Sequence, residues 1–310
     1  MIRIVFMGTP VFSVPVLEGL LNDSNYEVVG VVSQPDKKVG RHQVLTPSPV
    51  SQVAISNGIK LLRIEKVRSE YQEILDLDPD MIVTCAYGQI IPKEVLDYPK
   101  YGCINVHASL LPKLRGGAPI HKAIIDGYSK TGITIMYMDE GMDTGDIISQ
   151  EEIEILDSDT VSILHDKLSV LGRDLLLKTL PSIISGNVKR IKQNSDEVTF
   201  AYNIKREDEH IDFNDTKRNV FNLVRGLNSF PGAFAILDKK IVKIYSGRCG
   251  DSTKGDCGQI INIYDDGIGV RVNDGEYIIT ELKEEGKKKV AVKDYLNGKK
   301  KEDLLGKFFE

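Results

Sequence analysis

The sequence predicts a mixed α/β protein in which a Rossmann-like domain with a mostly parallel sheet precedes a smaller, β-rich domain. In the first half, short apolar runs typical of strands alternate with stretches of helical spacing, as in βαβ units. In the second half, strands follow at close intervals and are separated by Asp266-Gly267 and Asp274-Gly275, pairs that favour tight turns. The length of 310 residues suits two domains.

The first domain contains the strands that matter most for function. A β-rich run ends at Gly8-Thr9-Pro10, and two buried runs lie farther along the chain. Predicted strands cover residues 2–7, 27–32, 81–86 and 103–107, with a flanking pair at 132–138 and 146–155. Apolar spacing near 3.6 predicts one long helix over residues 161–184.

The second domain is predicted to be a compact β-barrel, because it contains about five short strands. These strands cover residues 233–237, 241–246, 259–264, 269–273 and 276–282. A polar stretch with few apolar anchors separates the two halves. We therefore expect a first domain at residues 1–190, a linker at 191–207 and a second domain at 208–310.

Composition excludes several classes of protein. The net charge of −5 and the absence of a basic domain give no electrostatic footprint for nucleic acid. No apolar run reaches the ~18 residues of a membrane span, and no signal peptide is evident, so we expect a cytoplasmic location and no membrane partner. The 4 cysteines form no C-x-x-C pair, so neither disulfides nor a metal site is expected.

Common nucleotide and hydrolase motifs are missing. The first strand ends in Met7-Gly8-Thr9-Pro10, which lacks the G-x-G-x-x-G of dinucleotide sites. The chain contains no G-x-x-x-x-G-K-[ST] and no G-x-S-x-G. A nicotinamide oxidoreductase, an ATP-dependent enzyme and a serine hydrolase of the nucleophile-elbow type are therefore unsupported.

The most informative residues are Asn105 and His107, at the end of the predicted strand 103–107. Residues two apart on a strand share a face, and open α/β sheets bind ligands at the carboxyl ends of strands. Asn offers two N–H donors and His can shuttle a proton near neutral pH, so the pair suits a developing oxyanion. The alternative is that both residues merely end the strand and cap the following loop.

Two loops accompany this strand. Pro112 and Pro119 stiffen a stretch around Arg115-Gly116-Gly117, whose glycines let a flat ligand approach the main chain. A second loop, residues 139–146, carries four acids and two glycines without the spacing of a calcium loop. One of these acids is a candidate proton acceptor, but composition does not indicate which one.

Together these motifs resemble the 10-formyltetrahydrofolate-dependent formyltransferases. The resemblance rests on Asn105-x-His107, on Ser109-Leu110-Leu111-Pro112 and on Asp143 within Gly141-Met142-Asp143-Thr144-Gly145. The resemblance covers nearly the whole chain. Within the family, the sequence is most similar to the branch that acts on initiator methionyl-tRNA. Further matching segments are residues 8–10, 34–36, 47–50, 86–88, 202–212 and 228–231, although the family usually carries Trp where Phe230 stands.

The resemblance implies a formyltransferase domain followed by an OB-like barrel that helps to hold tRNA. It maps the catalytic triad onto Asn105, His107 and Asp143, with 10-formyltetrahydrofolate as formyl donor, tetrahydrofolate as product, and neither a metal ion nor a nucleotide cofactor. The residues it implies for folate are Ala86, Tyr87, Gly88, Ile91, Ser109, Leu110, Leu111, Pro112, Glu140 and Gly141. Those implied for tRNA are Lys37, Lys38, Arg41, His42, Lys205 and Arg206.

Other members of the family remain alternatives. Formyltransferases acting on glycinamide ribonucleotide are single-domain enzymes, whereas this chain has about a hundred further residues. Enzymes acting on a nucleotide-linked amino sugar and formyl-folate hydrolase domains can carry a second subdomain. The segment 34–49 favours tRNA, because it is long for a βα connection and rich in basic side chains. A catalytically silent RNA-binding module is the alternative from another class, and the intact triad argues against it.

Overall fold

In a computed structural model that describes residues 1–40 and 42–310, the chain forms two compact units. The first unit comprises Met1–Pro119, Lys130–Glu154 and His165–Tyr202. The second comprises Ile120–Ser129, Ile155–Leu164 and Asn203–Glu310. Each unit therefore draws on separate stretches of the chain, and residues 191–202 belong to the first unit.

Within residues 1–40 and 42–310, the first unit contains nine strands and most of the helices. Its strands are β1 (Ile2–Gly8), β2 (Tyr26–Ser33), β3 (Lys37–Val39), β4 (Val44–Thr46), β5 (Leu61–Arg63), β6 (Met81–Cys85), β7 (Cys103–His107), β8 (Lys130–Tyr137) and β9 (Ile147–Glu154). The helices of this unit are α1 (Val14–Leu21), α2 (Pro49–Ser56), α3 (Gln72–Leu75), α4 (Lys93–Leu96) and, from His165 onward, α6 (Val161–Ile184). Helix α5 (Pro119–Ile125) lies in the second unit apart from its first residue.

Seven of these strands form one sheet in the order β5-β2-β1-β6-β7-β8-β9. The pairings from β5 to β7 are parallel, and those of β7 with β8 and of β8 with β9 are antiparallel. All five residues of β6 are buried, which explains its unbroken run Met-Ile-Val-Thr-Cys. The prediction of a mixed α/β fold with a mostly parallel sheet is confirmed.

The segment between β2 and α2 differs from the long connection that the sequence predicts. It folds into an antiparallel hairpin of β3 and β4, which pairs Lys37 with Thr46 and Val39 with Val44. Almost all side chains of this hairpin are exposed. A strand pattern depends on one buried face, so a solvated hairpin leaves little trace in the sequence.

The second unit is built around an antiparallel sheet. Its elements are α7 (Lys217–Gly226), β10 (Ala233–Leu237), β11 (Lys240–Gly250), β12 (Ile260–Ile263), β13 (Ile268–Val272), β14 (Gly275–Glu284), β15 (Val290–Ala291) and α8 (Val292–Tyr295). The strand order is β10-β11-β14-β13-β12, and β15 pairs with β14. Apolar side chains of these strands and of α7 form one core.

The C-terminal residues join the two edges of this sheet. The backbones of Glu310 and Ile236 exchange two hydrogen bonds of 2.7 and 2.8 Å on β10. The N–H of Ile260, on β12, donates to the carbonyl of Lys307 at 2.8 Å, and the N–H of Phe309 donates to Gly258. The last residues of the chain thereby satisfy backbone groups that an edge strand would leave unpaired.

A buried arginine fastens α7 to the segment Ile155–Leu164 within the same unit. The Arg225 side chain is 5% exposed, and its guanidinium donates to the carbonyls of Leu156 (2.7 Å) and Asp159 (3.2 Å) and to Asn222 Oδ1 (3.0 Å). On the same helix, Arg218 makes an exposed two-point ion pair with Asp157. Buried carbonyls that lose a donor cost far more than an exposed ion pair contributes.

We therefore expect Arg225→Leu to lower the free energy of unfolding by roughly 2–4 kcal/mol, because the Asp159 carbonyl, in a buried bond, and the Leu156 carbonyl, in a part-buried bond, lose their donor. Arg218→Leu, the control on the same helix, should cost less than about 1 kcal/mol. Urea unfolding followed by circular dichroism measures both values. Equal losses in the two variants would contradict the role given to Arg225.

Candidate active site

The candidate site lies at the carboxyl ends of β6 and β7, neighbouring parallel strands at the centre of the first unit's sheet. Thr84 on β6 is in register with Asn105 on β7. On the other side of β7, Asn105 pairs with Met136 and His107 with Thr134 of antiparallel β8. Asn105 is thus held from both sides by the backbone ladder, and His107, two residues along the same strand, is held from the β8 side.

The Asn105 amide is oriented by one short hydrogen bond. Thr84 Oγ1 donates to Asn105 Oδ1 at 2.9 Å. Within residues 1–40 and 42–310, Asn105 Nδ2 has no protein acceptor, and the side chain is only half-buried. The two N–H bonds of Nδ2 are the donors that this site can present to an incoming oxygen.

The His107 ring is buried between a backbone carbonyl and a carboxylate. It is 6% exposed, and Nε2 lies 3.2 Å from the carbonyl oxygen of Leu114. A carbonyl only accepts, so Nε2 carries a proton in this arrangement. Nδ1 lies 3.6 Å from Asp143 Oδ1, a distance for charge attraction that exceeds a hydrogen bond.

Asp143 is the member of the acidic loop that faces the histidine. Its other oxygen, Oδ2, accepts the backbone N–H of Gly116 at 2.8 Å, and its backbone has a left-handed φ of 54°. Asp139 instead binds its own loop, accepting from Gly141 N–H at 3.0 Å and from Thr144 Oγ1 at 2.5 Å. The geometry therefore separates two acids that composition could not distinguish.

The loop after β7 is fixed by Thr134. Its hydroxyl donates to the Ser109 carbonyl at 2.6 Å and accepts from the Leu111 N–H at 3.1 Å and from Gln150 Nε2 at 2.8 Å. Gln150 Nε2 also reaches the Leu111 carbonyl at 2.9 Å. Ser109, Leu111 and Pro112 are buried, and the Leu111–Pro112 peptide is cis. Hydrogen bonds to its backbone groups therefore hold the shape of this loop. Leu110, by contrast with its neighbours, is partly exposed.

The other residues predicted for folate differ in what they can offer. Ala86 and Gly88 are exposed and have left-handed φ values of 47° and 81°. Tyr87 and Ile91 pack into the apolar core beside β6, where burial, aided by Glu70, raises the pKa of Tyr87 to about 12. Their side chains are therefore core residues, and only their main chain is available to a ligand. Glu140 and Gly141 are exposed on the acidic loop.

The residues predicted for tRNA fall into two groups. Lys37 and Lys38 lie on exposed β3, His42 follows in the same hairpin, and Arg41 lies outside the described residues. Lys205 and Arg206 belong to the second unit, where Arg206 pairs with Glu209 and its guanidinium stacks 3.9 Å over the Phe234 ring. Lys205 lies 3.5 Å from Glu207.

Sequence reasoning missed the groups that hold these loops. Gln193 binds Arg115 through its carbonyl oxygen and binds the backbone of the acidic loop through its amide nitrogen. Thr199 Oγ1 accepts the N–H of Leu114 at 2.9 Å. Both residues lie in the polar stretch beyond α6, which offers no apolar periodicity to mark a contact with the first unit.

Neither thiol chemistry nor a metal cluster is evident in the described part of the chain. All four cysteines are free, and burial raises the pKa of Cys85 to about 12, so its thiolate is disfavoured. Residues 1–40 and 42–310 contain no group of three His, Cys, Asp or Glu side chains placed to hold a metal ion. No helix of this part combines the length and apolar character needed to cross a membrane.

Two domain families match this chain, "Formyl transferase" over residues 2–180 and "Formyl transferase, C-terminal domain" over residues 203–300. A Methionyl-tRNA formyltransferase of Bacillus cereus is 54% identical over 306 residues, which is 97% of each chain. The protein of the same name from Bacillus anthracis is 53% identical over the same coverage.

Solved structures with this fold include an N-formyltransferase of Helicobacter canadensis, in complex with folinic acid and dTDP-3-aminofucose. Its TM-score is 0.66 at 23% identity, covering 90% of this chain and 98% of that one. HypX of Aquifex aeolicus with tetrahydrofolic acid has a TM-score of 0.63 at 19% identity. The match covers 95% of this chain but 46% of HypX, so the chain spans about half the length of that protein.

A Methionyl-tRNA formyltransferase of Clostridium thermocellum has a TM-score of 0.56 at 18% identity, covering 80% of this chain and 93% of that one. These distant structures establish the fold alone, whereas the Bacillus relatives match this chain over almost its whole length at more than half identity. This chain belongs to the formyltransferase family, among the methionyl-tRNA formyltransferases.

Proposed function

We propose that this protein transfers the formyl group of 10-formyltetrahydrofolate to the α-amino group of initiator methionyl-tRNA, giving formylmethionyl-tRNA and tetrahydrofolate. The observation that carries the proposal is the grouping of Asn105, His107 and Asp143 in a chain 54% identical to its Bacillus relative. Because that acceptor is made and used during protein synthesis, we place the reaction in the cytoplasm.

The chemistry needs only modest activation of the nucleophile. An α-amino group has a pKa of about 7.7–8.0 in peptides, so a substantial neutral fraction exists near neutral pH. The neutral amine attacks the formyl carbon, and a new C–N bond forms as the carbonyl oxygen becomes an oxyanion. Collapse of this intermediate breaks the bond to the folate N10, which receives the proton that the amine loses.

Each triad residue has a separate task in this scheme. Asn105 Nδ2 donates to the oxyanion, since Thr84 already occupies Oδ1 at 2.9 Å. His107 supplies a second donor once Nε2 exchanges the Leu114 carbonyl, 3.2 Å away, for the oxyanion. Asp143 balances the charge of the ring and carries the proton from the attacking amine towards the leaving nitrogen.

For the donor, we propose a folate site between the loop after β6, the Ser109–Pro112 loop and the acidic loop. The exposed backbone at Ala86 and Gly88 supports this placement, because a flat heterocycle can be bound by main-chain groups. Leu110 and the rim residues Glu140 and Gly141 complete the proposed lining. Tyr87, Ile91, Ser109, Leu111 and Pro112 contribute through their backbone or by shaping the loops.

For the acceptor, we propose that Lys37, Lys38 and His42 of the exposed β3–β4 hairpin contact tRNA, together with Arg41. A stacked aromatic pair in the same unit also suits RNA, since the Phe200 and Tyr202 rings lie 5.6 Å apart at an interplanar angle of 6°. Their side chains are 47% and 63% exposed, and exposed aromatic faces stack on unpaired bases.

We further propose a division of labour in which the first domain performs the chemistry and the second, an OB-like barrel, binds the tRNA backbone. The joined edges of the sheet from β10 to β12 support a closed barrel. Lys205 and Arg206, near the start of the longest segment of the second unit, would add phosphate contacts.

A direct transfer assay tests this function. Purified protein is incubated with 10-formyltetrahydrofolate and initiator methionyl-tRNA, and formylmethionine is quantified after deacylation. Parallel reactions contain a dTDP-linked amino sugar or no acceptor. We expect formylation of the tRNA alone. Transfer to the sugar, or release of formate without an acceptor, would replace this proposal with the amino-sugar or hydrolase reading.

Replacement of the facing acid should reveal proton transfer. We expect Asp143→Asn to lower kcat by about 10² or more, because an amide keeps the size but cannot accept the proton. Asp139→Asn should cost far less, since an amide oxygen can still accept from Gly141 and Thr144. Steady-state kinetics on methionyl-tRNA measure both, with Asp146→Asn as a further control. Similar losses in all three would show that Asp143 has no special role.

Removal of the oxyanion donor should affect turnover more than binding. We expect Asn105→Ala to lower kcat by about 10²–10³. The dissociation constant for the folate, measured by fluorescence titration, should change less than about threefold. Thr84→Val, which removes only the bond that orients the amide, should show a smaller loss of kcat. An Asn105→Ala enzyme within threefold of wild type would contradict the assignment.

Loss of the hairpin lysines should change the salt dependence of tRNA binding. For Lys37→Ala combined with Lys38→Ala, we expect the slope of log K against log salt to flatten by roughly 0.7–0.9 per lost phosphate contact. Folate affinity should be unaltered. A charge-matched control removes the exposed Lys178 and Lys189 of the same unit. If both double variants give the same slope, the hairpin does not bind tRNA.

A further inference from the structure

The Gln193 amide uses all of its hydrogen-bonding capacity at the candidate active site. Its Oε1 accepts from Arg115 at 3.0 Å (Nε) and 2.7 Å (a terminal guanidinium nitrogen). Its Nε2 donates to the carbonyls of Asp143 and Gly145, each at 2.8 Å. A side-chain amide has two N–H bonds and one acceptor oxygen, so four contacts satisfy it fully.

These contacts join the two loops that flank the triad. Arg115 belongs to the loop in which the Leu114 carbonyl contacts His107 and the Gly116 N–H binds the Asp143 carboxylate. Asp143 and Gly145 belong to the acidic loop. One amide therefore links the side chain of Arg115, the neighbour of the glycine that binds the Asp143 carboxylate, to the backbone of the acidic loop.

The chain around Gln193 reinforces the same arrangement. The Thr199 hydroxyl accepts the Leu114 N–H at 2.9 Å, and the Thr199 carbonyl accepts the Arg115 N–H at 2.9 Å. Ala201 adds two backbone bonds, one to Arg115 at 2.7 Å and one to Ala118 at 3.0 Å. Residues 193–201 thus run along the loop that follows β7 as an added backbone partner.

Asp143 needs such support because it does not lie on a strand. Its φ of 54° lies in the left-handed region, which aspartate tolerates better than most residues other than glycine, so the surrounding contacts determine whether the loop keeps this conformation. Its carboxylate reaches His107 only at 3.6 Å, so a small shift of the loop would remove the contact. A misplacement of about 1 Å can cost 10²-fold in rate.

We propose that Gln193 is a positioning residue, which holds the Asp143 loop against the loop of Arg115 and thereby fixes the acid beside His107. The inference rests on the proposed formyl transfer, and it adds a residue outside the triad and outside the three loops proposed for folate. Gln193 touches no substrate in this scheme. It acts through Asp143.

Two substitutions separate the Gln193 hydrogen bonds to Arg115 from those to the acidic loop. Gln193→Glu is nearly isosteric and keeps an acceptor for Arg115, but it loses both donors to the carbonyls of Asp143 and Gly145. Gln193→Ala removes both sets of hydrogen bonds. If the bonds to the acidic loop matter, both variants should show a kcat lower by about 10- to 100-fold. The KM for tRNA and the dissociation constant for folate should stay within about threefold.

The matched control is Asn57→Asp, which converts another amide to an acid. Asn57 Nδ2 donates a single bond to the Val53 carbonyl at 2.9 Å, at an exposed helix end. We expect wild-type kcat from this variant. Thermal unfolding of all three proteins, followed by circular dichroism, reports whether the fold is retained. Because Gln193→Glu preserves size and the Arg115 contact, it keeps the test informative even if Gln193→Ala is unstable.

A double-mutant cycle distinguishes positioning from a merely structural role. In the Asp143→Asn background the loop no longer carries a proton acceptor, so adding Gln193→Glu should lower kcat by less than threefold. A purely structural residue would reduce kcat by the same factor in both backgrounds. That additive result, or a Gln193→Glu enzyme with wild-type kcat, would overturn the inference. Wild-type protein that fails to formylate methionyl-tRNA would instead refute the proposed function.

Discussion

The site depends on the contact between a carboxylate and a buried imidazole that are supplied by different kinds of structure. His107 is fixed by its strand, which pairs with a neighbour on each side. Asp143 comes from an exposed loop, and its carboxylate is held by one backbone N–H of a second loop, that of Gly116. A pair of this kind works only if the loops are as well defined as the sheet, and much of the polar bonding in the first unit serves that requirement.

The sheet and the loops meet this requirement in different ways. Strands β6 and β7 are ordered by burial and by ladder hydrogen bonds, so Thr84 and Asn105 need only be in register to meet. The loops have no ladder of this kind, and of the two only the Ser109–Pro112 loop packs a residue, Leu111, into an apolar cluster. Thr134 uses its hydroxyl to bind backbone groups of the Ser109–Pro112 loop, and Gln193 does so with its amide for the acidic loop. Polar side chains, buried at Thr134 and half-buried at Gln193, thus add hydrogen bonds that define the two loops.

The sequence predicted the parts of the molecule whose burial is periodic. The bounds of β7, β10 and α6 match the predicted ones residue for residue, because each element has a clear apolar pattern. The β3–β4 hairpin was not predicted, since almost all of its side chains are solvated.

Spacing alone placed Asn105 and His107 on one face. The choice of Asp143 among four acids required the resemblance, and the structure supplies a physical distinction, because Asp139 binds its own loop. Gln193 gave no signal, because it is a polar residue in a polar stretch and its partners are distant in sequence.

The position of residues 193–201 has a consequence for how such a protein can be recombined. The two family matches end at residue 180 and resume at residue 203, so this segment belongs to neither. Yet its backbone and side chains bind the loops beside the triad. A chimera joined at the end of α6 would therefore combine the catalytic loops of one parent with residues 193–201 of the other. Exchange of the C-terminal half between relatives should preserve the geometry of the site only when the crossover falls after Tyr202. The part that must be exchanged as one piece therefore extends beyond residue 180, where the first family match ends.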